Sequence, residues 1–485
     1  MIKPFRGHYV AGDFQIGNGA SFLSTNPARD YEAVFEARDG REMVDAAVDA
    51  ARRAAKSWRR LSFEARAEVM SKVAERVSVW AEPIANAIAM EMGKSISESL
   101  VEARSIKGKI DGVIAHCQQE LASAPDGAPG EQRFHAMGVM AIIGPFNFPI
   151  HLLNTHIIPA LMTGNTVVVK PSEVTPLCGQ LYAELFHEAG VPAGVFNLVH
   201  GQGEVGAALS VHEGVDAVVF TGSYETGRRI RQATFDQPWK KVCLELGGKN
   251  VALVLDDAHV GQSVRELVLG AFLTTGQRCT ATSRLVVTPG VADRVISELS
   301  SIIPRISVGD PFDNQVFMGP LATHQSQLKF SAAIEGITAQ GAQPLAVGST
   351  GIGRGAFVAP SLFKVTGDEP LLSEEFFGPN LCVEIARDED DAFLRASRSE
   401  YGLSGSVFSK RPEMLERFYD EVRVGVVNFN RSTNGASGLL PFGGTGKSGN
   451  WRPAGSCAPR LATYPVALMR RPHGEITPHG LLDNL

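Results

Sequence analysis

The spacing of apolar positions changes its period near residue 139. Before that point apolar residues recur at helical spacing, with charged residues between them, at Val44, Ala47, Val48, Ala51, Ala55 and Trp58. From Val139 onward, short apolar runs such as Val139–Ile143 and Thr166–Val169 alternate with helical stretches such as Leu177–Ala189. Apolar strands separated by amphipathic helices are typical of a parallel sheet that is covered on both faces. The pattern therefore predicts an α/β fold.

The same alternation begins again after residue 250. Val251–Leu255 and Leu285–Val287 have the pattern of strands, and Val264–Thr274 has the pattern of a helix that leads into a loop. This second series predicts a second α/β lobe. Open sheets of this kind bind nucleotides at the carboxyl ends of their strands, so we expect a nucleotide site at such an edge.

Length and composition narrow the class of protein. A chain of 485 residues predicts two or three domains, and a net charge of −6 argues against nucleic-acid binding, which needs a basic face. The six cysteines are widely spaced without a CxxC pair, which fits a reducing compartment. The sequence has no signal-peptide core and no run of about 18 apolar residues, which predicts a cytoplasmic protein without a membrane span.

One stretch carries a candidate nucleophile. Phe272–Thr282 places Cys279 between a glycine-bearing turn and a run of small hydroxyl residues, with Arg278 before it and Arg284 after it. A thiol reacts as the thiolate, and nearby cations lower its pKa, so we expect the arginines to favour reaction. No second Cys or His lies at ligand spacing, so no metal site is predicted. The alternative is a buried structural cysteine, the commoner role of a lone Cys.

Four further segments favour the reactive interpretation. They are Leu244–Asn250 with Glu245, Gly144–Pro149 with Asn147, Glu374–Pro379, and Pro441–Gly444. Together with the Cys279 stretch, and in their order along the chain, they resemble the aldehyde dehydrogenase superfamily over nearly the whole chain. The resemblance implies that Cys279 is the nucleophile, Glu245 the general base and Asn147 a donor to the oxyanion.

The resemblance also implies how the chain is divided. It predicts an aldehyde dehydrogenase-like α/β fold with two doubly wound parallel-sheet lobes and a small oligomerisation β element. Residues 1–120 and 139–246 would form the NAD-binding domain, and residues 247–447 the catalytic domain. Residues 121–138 and 460–472 would supply oligomerisation strands, so a homodimer or a homotetramer is expected.

The segment Phe220–Gly227 joins a strand to a helix and is the predicted phosphate cradle. Ser223 can cap the helix, and free N–H groups at a helix N-terminus suit a pyrophosphate. Aldehyde dehydrogenases carry a similar segment, which implies that Gly222, Ser223 and Gly227 contact the cofactor. The GxGxxG pattern at Gly201–Gly206 competes with it, but no acidic residue ends the next strand, so we interpret it as a tight turn.

The remaining cofactor contacts are implied by the resemblance. Lys170 and Glu173 match an adenosine-ribose site, where a carboxylate accepts from both ribose hydroxyls and repels a 2′-phosphate, which favours NAD over NADP. Without the resemblance, these two residues would be interpreted as a solvated strand end. Glu375, Phe377 and Phe146 match positions around the nicotinamide and its ribose.

The implied reaction is NAD-linked oxidation of an aldehyde to a carboxylic acid through a thioester on Cys279. Glu245 favours hydrolysis of that thioester, because relatives that transfer it to coenzyme A generally lack this base. The segments Phe146–Leu161, Phe272–Thr280 and Ser448–Pro453 resemble a branch that oxidises an anionic semialdehyde of arginine catabolism.

An anionic substrate would need cations at the mouth of the site, and Arg278 and Arg431 are the candidates, with plain surface charge as the alternative. The branch typically has Tyr, a small residue and His where this chain has Phe146, Ile150 and Trp451. Another semialdehyde, of glutamate or succinate, is therefore a competing substrate. A non-catalytic relative that only binds nucleotide is a further alternative, and the intact catalytic residues argue against it.

Overall fold

The computed structural model describes residues 4–121 and 130–483, and within them two seven-stranded sheets form the core. The order across the first sheet is Lys241–Glu245, Ala217–Thr221, Val139–Ile143, Thr166–Lys170, Phe196–Leu198, His8–Val10 and Asp13–Gln15. The strands from residue 139 onward run parallel to one another. Every residue of Val139–Ile143 and Thr166–Lys170 is buried, as expected for apolar strands covered on both faces.

The second sheet repeats this architecture. Its order is Gln343–Val347, Ser361–Lys364, Asn380–Ile385, Thr282–Val287, Asn250–Val254, Ser404–Phe408 and Val426–Phe429. The predicted α/β fold with two lobes is confirmed. The sheets are not wholly parallel, however, because His8–Val10 and Gln343–Val347 pair antiparallel with their neighbours. Gln343–Val347 is joined to the next strand without an intervening helix, and a parallel pairing would need such a crossover.

Helices cover both sheets. The α-helices are Val44–Arg60, Phe63–Met92, Ile96–Glu120, His151–Met162, Pro176–Glu188, Gly203–Val211, Tyr224–Ala233, Val260–Phe272, Pro289–Ile302, His324–Ala339, Glu389–Ser397, Glu413–Glu421 and Ala458–Leu461. Short 3-10 helices lie at Arg41–Met43, Leu273–Gly276, Ile303–Arg305 and Pro370–Ser373.

One helix is longer than its sequence indicates. The pattern predicts helical stretches at 63–79 and 83–92, whereas Phe63–Met92 is continuous and has Pro83 inside it. A proline removes one backbone hydrogen bond. The buried face continues through Ile84 and Ile88, so packing outweighs that loss. The helix ends at Gly93, whose φ of 76° is the left-handed conformation of a helix C-cap.

Small antiparallel pairs lie outside the two sheets. They are Gly130–Ala136 with Thr463–Met469, Ser21–Asn26 with Glu32–Arg38, Tyr401–Gly402 with Thr445–Gly446, and Pro441–Phe442 with Ala454–Gly455. The first pair joins the two segments that the resemblance marks as oligomerisation strands, although residues 122–129 of that prediction lie outside the described residues. Within the described ranges, every helix is too short or too polar to cross a membrane.

Candidate active site

A cavity of about 820 Å³ lies at the carboxyl edge of the first sheet. Ile143, Lys170, Thr221 and Glu245 line it, and each is the last residue of a parallel strand. Side chains at this edge of a parallel sheet meet in one place because all the strands point towards it. The position of the cavity therefore agrees with the nucleotide site expected from the sequence pattern.

Most of the predicted site residues line this one cavity. They are Phe146, Asn147, Lys170, Glu173, Gly222, Ser223, Glu245, Cys279, Glu375 and Phe377. The second lobe contributes Cys279 and the segment 375–377, and the first lobe contributes the others. The fold thus brings the candidate nucleophile and the candidate general base to the same space as the predicted cofactor contacts.

The loop before Cys279 begins in an uncommon backbone conformation. Thr274, Thr275 and Gly276 have φ angles of 56°, 57° and 68°. β-Branched residues rarely adopt this left-handed region, so the surrounding structure must stabilise it. A Cβ atom at Gly276 would lie 2.3 Å from the carbonyl oxygen of Gly378, which explains the glycine at this position.

Glu98 holds the loop from the helix Ile96–Glu120. Its carboxylate accepts hydrogen bonds from the Thr274 backbone N–H at 2.9 Å and the Thr274 hydroxyl at 2.8 Å. It also pairs with the Arg278 guanidinium at 2.5 Å, and Arg278 Nε donates to the Thr274 hydroxyl. Arg278 is therefore already engaged in fixing the loop and does not line the cavity as a free substrate cation.

The Asn147 side chain reaches the same loop. Its Nδ2 donates to the carbonyl oxygen of Gln277 at 2.9 Å, and the side chain is buried. Gln277 is held in turn, because its Oε1 accepts from the Ala322 backbone N–H at 3.0 Å. A primary amide has two N–H bonds. Asn147 can therefore donate its second one to an oxygen that develops negative charge beside Cys279.

Glu245 ends a buried strand and has an unsatisfied carboxylate. Its Oε1 is buried and has no hydrogen-bond partner among the described residues. Burial raises the pKa of Glu245 well above its ordinary value. A carboxyl group that is poorly solvated and lines a cavity is suited to accept a proton from a water molecule that enters.

The electrostatic setting of Cys279 differs from the expectation. Burial and the carboxylates of Glu245 and Glu375 raise the pKa of the Cys279 thiol to about 12, although Arg278 acts in the opposite direction. Arg284 pairs with Glu384 at 2.6 Å instead of facing the thiol. Arg278 therefore favours the thiolate as expected, but burial and the two carboxylates outweigh it, and Arg284 does not contribute.

This setting has a measurable consequence. Because the pKa of Cys279 is about 12, the thiolate fraction should rise about tenfold per pH unit, and so should alkylation by iodoacetamide between about pH 7 and pH 10. Mass spectrometry of the labelled peptide measures this rate, with the Cys279→Ala protein as the blank. A plateau near neutral pH would show that the thiolate is already formed and would contradict the expectation.

The segment 375–377 is held firmly beside the thiol. Glu375 Oε1 accepts from the Gly248 backbone N–H at 3.0 Å, and burial raises the pKa of Glu375 to about 7. The Lys249 ammonium lies 3.9 Å above the Phe376 ring. The Phe377 ring meets the Phe146 ring edge to face at 5.9 Å.

Lys170 and Glu173 form an ion pair in another part of the cavity. The buried Lys170 ammonium donates to Glu173 Oε2 at 2.7 Å. Burial alone would raise the pKa of Glu173, but the charge and hydrogen bond of Lys170 lower it below its ordinary value. The Glu173 carboxylate is therefore kept ionised, and it is available as an acceptor for hydroxyl groups.

Other residues are placed differently from the prediction. Gly227 packs under Leu246, where a Cβ atom would approach the leucine to 2.8 Å, and it does not line the cavity. Arg431 is exposed beyond the end of Val426–Phe429 and does not line the cavity either. Neither residue therefore lines the cavity that holds the other predicted site residues.

The helix Gly203–Val211 contributes residues that sequence reasoning missed. Gly201 makes the predicted turn, with a φ of 151°, but Gly203, Gly206 and Ser210 line the cavity. A Cβ atom at Gly206 would meet no atom nearer than 3.8 Å, so this wall is open. Small residues at helical spacing were the available signal.

Comparison with known proteins gives consistent matches along the chain. A family model described as the aldehyde dehydrogenase family matches residues 15–461. The N-succinylglutamate 5-semialdehyde dehydrogenase 1 of Caulobacter vibrioides is 41% identical over 446 residues, which cover 91% of this chain and 94% of the relative. The N-succinylglutamate 5-semialdehyde dehydrogenase of Vibrio cholerae is 38% identical over 471 residues, which cover 95% of this chain and 96% of the relative.

Solved structures match at the level of the whole fold. A point mutant of betaine aldehyde dehydrogenase from Staphylococcus aureus, in complex with NAD⁺, gives a TM-score of 0.92 at 28% identity and covers 98% of this chain and 99% of that one. A mutant of aldehyde dehydrogenase C from Pseudomonas syringae, complexed with NAD⁺ and octanal, gives a TM-score of 0.90 at 31% identity. It covers 97% of this chain and 98% of that one.

Proposed function

The chain belongs to the aldehyde dehydrogenase family, and from that premise we propose that it oxidises N-succinyl-L-glutamate 5-semialdehyde to N-succinyl-L-glutamate with NAD⁺. The observation that carries the chemistry is the thiol of Cys279 and the unsatisfied carboxylate of Glu245, which line one cavity. The substrate rests on the names of relatives that are 38–41% identical over most of the chain.

The cavity suits a dinucleotide. Its volume of about 820 Å³ and its open wall at Gly206 leave room for a long ligand. Ser223 caps the helix Tyr224–Ala233 as predicted, accepting from the Thr226 N–H at 3.3 Å, and Gly222 lies beside it. A helix N-terminus of this kind attracts phosphate oxygens.

Other residues would hold the two ends of the cofactor. Lys170 and Glu173 would bind the adenosine ribose, and the ionised Glu173 would disfavour a 2′-phosphate. Glu375 would bind the nicotinamide ribose, with Phe377 and Phe146 beside the ring. When bound, NAD⁺ supplies a positive charge that favours the thiolate, and it accepts the hydride.

The first half of the reaction takes place on Cys279. The Cys279 thiol first releases its proton to water, a step that the positive charge of bound NAD⁺ would favour. The thiolate Sγ then forms a bond to the aldehyde carbon, and the carbonyl oxygen becomes an oxyanion. The second N–H bond of Asn147 and the Cys279 backbone N–H donate to this oxygen, and a fixed donor of this kind is worth about 10²–10³ in rate. Loss of hydride from the same carbon leaves a thioester on Cys279.

The second half of the reaction depends on Glu245. Water attacks the thioester carbon, the Glu245 carboxylate takes a proton from that water, and the bond to Sγ breaks to release the carboxylic acid. The raised pKa of Glu245 makes it a stronger base than an ordinary glutamate. This group favours hydrolysis over transfer to coenzyme A.

The proposal predicts a clear preference in steady-state turnover. With NAD⁺, kcat/KM for N-succinylglutamate semialdehyde should exceed that for propanal by about 10²-fold or more, because the charged part of the substrate adds binding energy. NADP⁺ should support much slower turnover. The absorbance of NADH measures both, with glutamate and succinate semialdehydes as competitors. A preference for either competitor would assign that aldehyde as the substrate and would leave the proposed chemistry unchanged.

The domain boundaries and the assembly are part of the same proposal. The strands of the first sheet lie within residues 1–246 and those of the second within 247–447, which supports the NAD-binding and catalytic domains. The ribbon of Gly130–Ala136 and Thr463–Met469 is only two strands wide, and such a ribbon is marginal alone. Its free edges can pair with another copy, which supports a homodimer or a homotetramer.

A further inference from the structure

A cationic cluster surrounds the Phe148 ring, next to the catalytic residues but outside the walls of the cofactor cavity. The Lys94 ammonium lies 3.6 Å above the ring, and the Arg278 guanidinium lies 5.1 Å from it. The His151 ring lies 6.0 Å from the Phe148 ring, and Lys109 Nζ lies 3.1 Å from His151 Nε2. Three basic side chains, Lys94, Arg278 and Lys109, therefore belong to this cluster.

Two of these charges are neutralised by carboxylates of the helix Ile96–Glu120. Glu102 pairs with Lys94 at 2.5 Å, and Glu98 pairs with Arg278 at 2.5 Å. Glu102 is also bound through its other oxygen, which accepts from the His151 backbone N–H at 3.1 Å. Both carboxylates are therefore already paired, and neither is free to pair with a further cation.

Lys109 is the cation that remains. Among the described residues no carboxylate pairs with it, and its ammonium contacts only neutral groups, His151 Nε2 and the Thr155 hydroxyl. Burial lowers the pKa of Lys109 to about 8. A poorly solvated cation without a counter-ion is unfavourable by itself, and an incoming anion relieves this state.

The neighbouring His151 imidazole leaves the charge of Lys109 uncompensated. His151 Nδ1 lies 3.0 Å from the Ser105 hydroxyl, and burial together with Lys109, Lys94 and Arg278 lowers the pKa of His151 well below its ordinary value. The imidazole is therefore neutral and does not neutralise or block Lys109.

The cluster is also partly exposed, and it adjoins the nucleophile loop through Arg278. Phe148, His151 and Lys109 are each partly exposed, and they are not among the residues that line the cofactor cavity. Phe148 follows Asn147 in the chain, and Arg278 precedes Cys279. A substrate whose aldehyde carbon is at Cys279 can therefore extend past Phe148 towards Lys109.

We propose that Lys109 binds a carboxylate of the substrate that is remote from its aldehyde carbon. This inference rests on the proposed function, because a semialdehyde of this class carries carboxylates several bonds from the reacting atom. Lys109 replaces Arg278 and Arg431 as the cation that selects an anionic aldehyde. It is a specificity residue and takes no part in bond making.

The test compares two substitutions on the same helix. Lys109→Met removes the charge and keeps the length of the side chain. Lys107→Met is the matched control, because Lys107 is 53% exposed and pairs with Asp111 away from the cluster. The ratio of kcat/KM for N-succinylglutamate semialdehyde to that for propanal should fall about 100-fold in Lys109→Met, mainly through KM, and stay unchanged in Lys107→Met.

Each outcome distinguishes this inference from the proposed function. An unchanged ratio in Lys109→Met, or an equal loss on both aldehydes, would overturn the role of Lys109. If the wild-type protein prefers a different anionic semialdehyde, the substrate assignment fails and the ratio for that aldehyde tests Lys109 instead. Calorimetric binding of the product N-succinylglutamate gives a readout without turnover: binding should weaken in Lys109→Met, and equal affinity for both proteins would contradict the proposal.

Discussion

Replacing Cys279 by alanine is expected to lower aldehyde-dependent NADH formation by roughly 10⁴-fold or more, since the covalent route then loses its nucleophile. The fold should survive, because the loop is held by Glu98, Asn147 and Asn250 through atoms other than the thiol. Calorimetric titration with NAD⁺ should therefore give an affinity close to that of the wild-type protein, with turnover measured in parallel.

A second cysteine provides the control for this experiment. Cys457 is also partly exposed, but it lies beside the short helix Ala458–Leu461 and does not line the cavity. Cys457→Ala should keep full turnover. If Cys279→Ala kept more than about a hundredth of the wild-type rate, a thioester on this residue could not be the intermediate.

Replacing Glu245 by glutamine is expected to separate the two halves of the reaction. The amide cannot take a proton from water, so steady-state turnover should fall by about 10²–10⁴-fold. The first half does not need this base. Rapid mixing should therefore show a burst of one NADH per active site, followed by slow turnover. Mass spectrometry of the intact protein should show the acyl group on Cys279.

An external nucleophile tests whether deacylation is the step that is lost. Hydroxylamine attacks a thioester without a general base, so it should restore much of the turnover of Glu245→Gln and add little to that of Cys279→Ala. Loss of the burst in Glu245→Gln would instead assign the carboxylate to thiol activation and would contradict the proposed division of labour.

Much of the fold could be predicted because the strands are short, apolar and regular. Val139–Ile143 has the bounds that the sequence pattern predicts, and the strand predicted at Thr166–Val169 extends by only one residue. The pattern failed where a distant contact overrides a local preference. Pro83 predicts the start of a helix, yet packing carries one helix through it. The antiparallel edge strand Gln343–Val347 is half exposed and has no clear apolar period, so it was missed.

Only those site residues that stand in short, distinctive segments could be predicted from the sequence. Cys279, Glu245 and Asn147 stand in distinctive segments, and the structure brings all three to one cavity. Their supporting contacts have no such local signature, because Glu98 lies 180 residues from its partner Arg278. Lys109 was missed for a different reason. Lys109 is distinctive because no carboxylate among the described residues pairs with it. That property depends on where every nearby carboxylate lies in the folded chain.

The contacts of the nucleophile loop also determine how the two lobes can move. Glu98 belongs to a helix packed in the core around the first sheet, yet it holds the loop that follows the helix Val260–Phe272 of the second lobe. Hinge bending between the lobes would therefore carry Cys279 along with the cofactor side and pull it away from its own helix. Thr275 holds the same turn to the second lobe, because its hydroxyl donates to the Gly319 carbonyl oxygen at 2.9 Å, so such bending would have to break one of the two attachments.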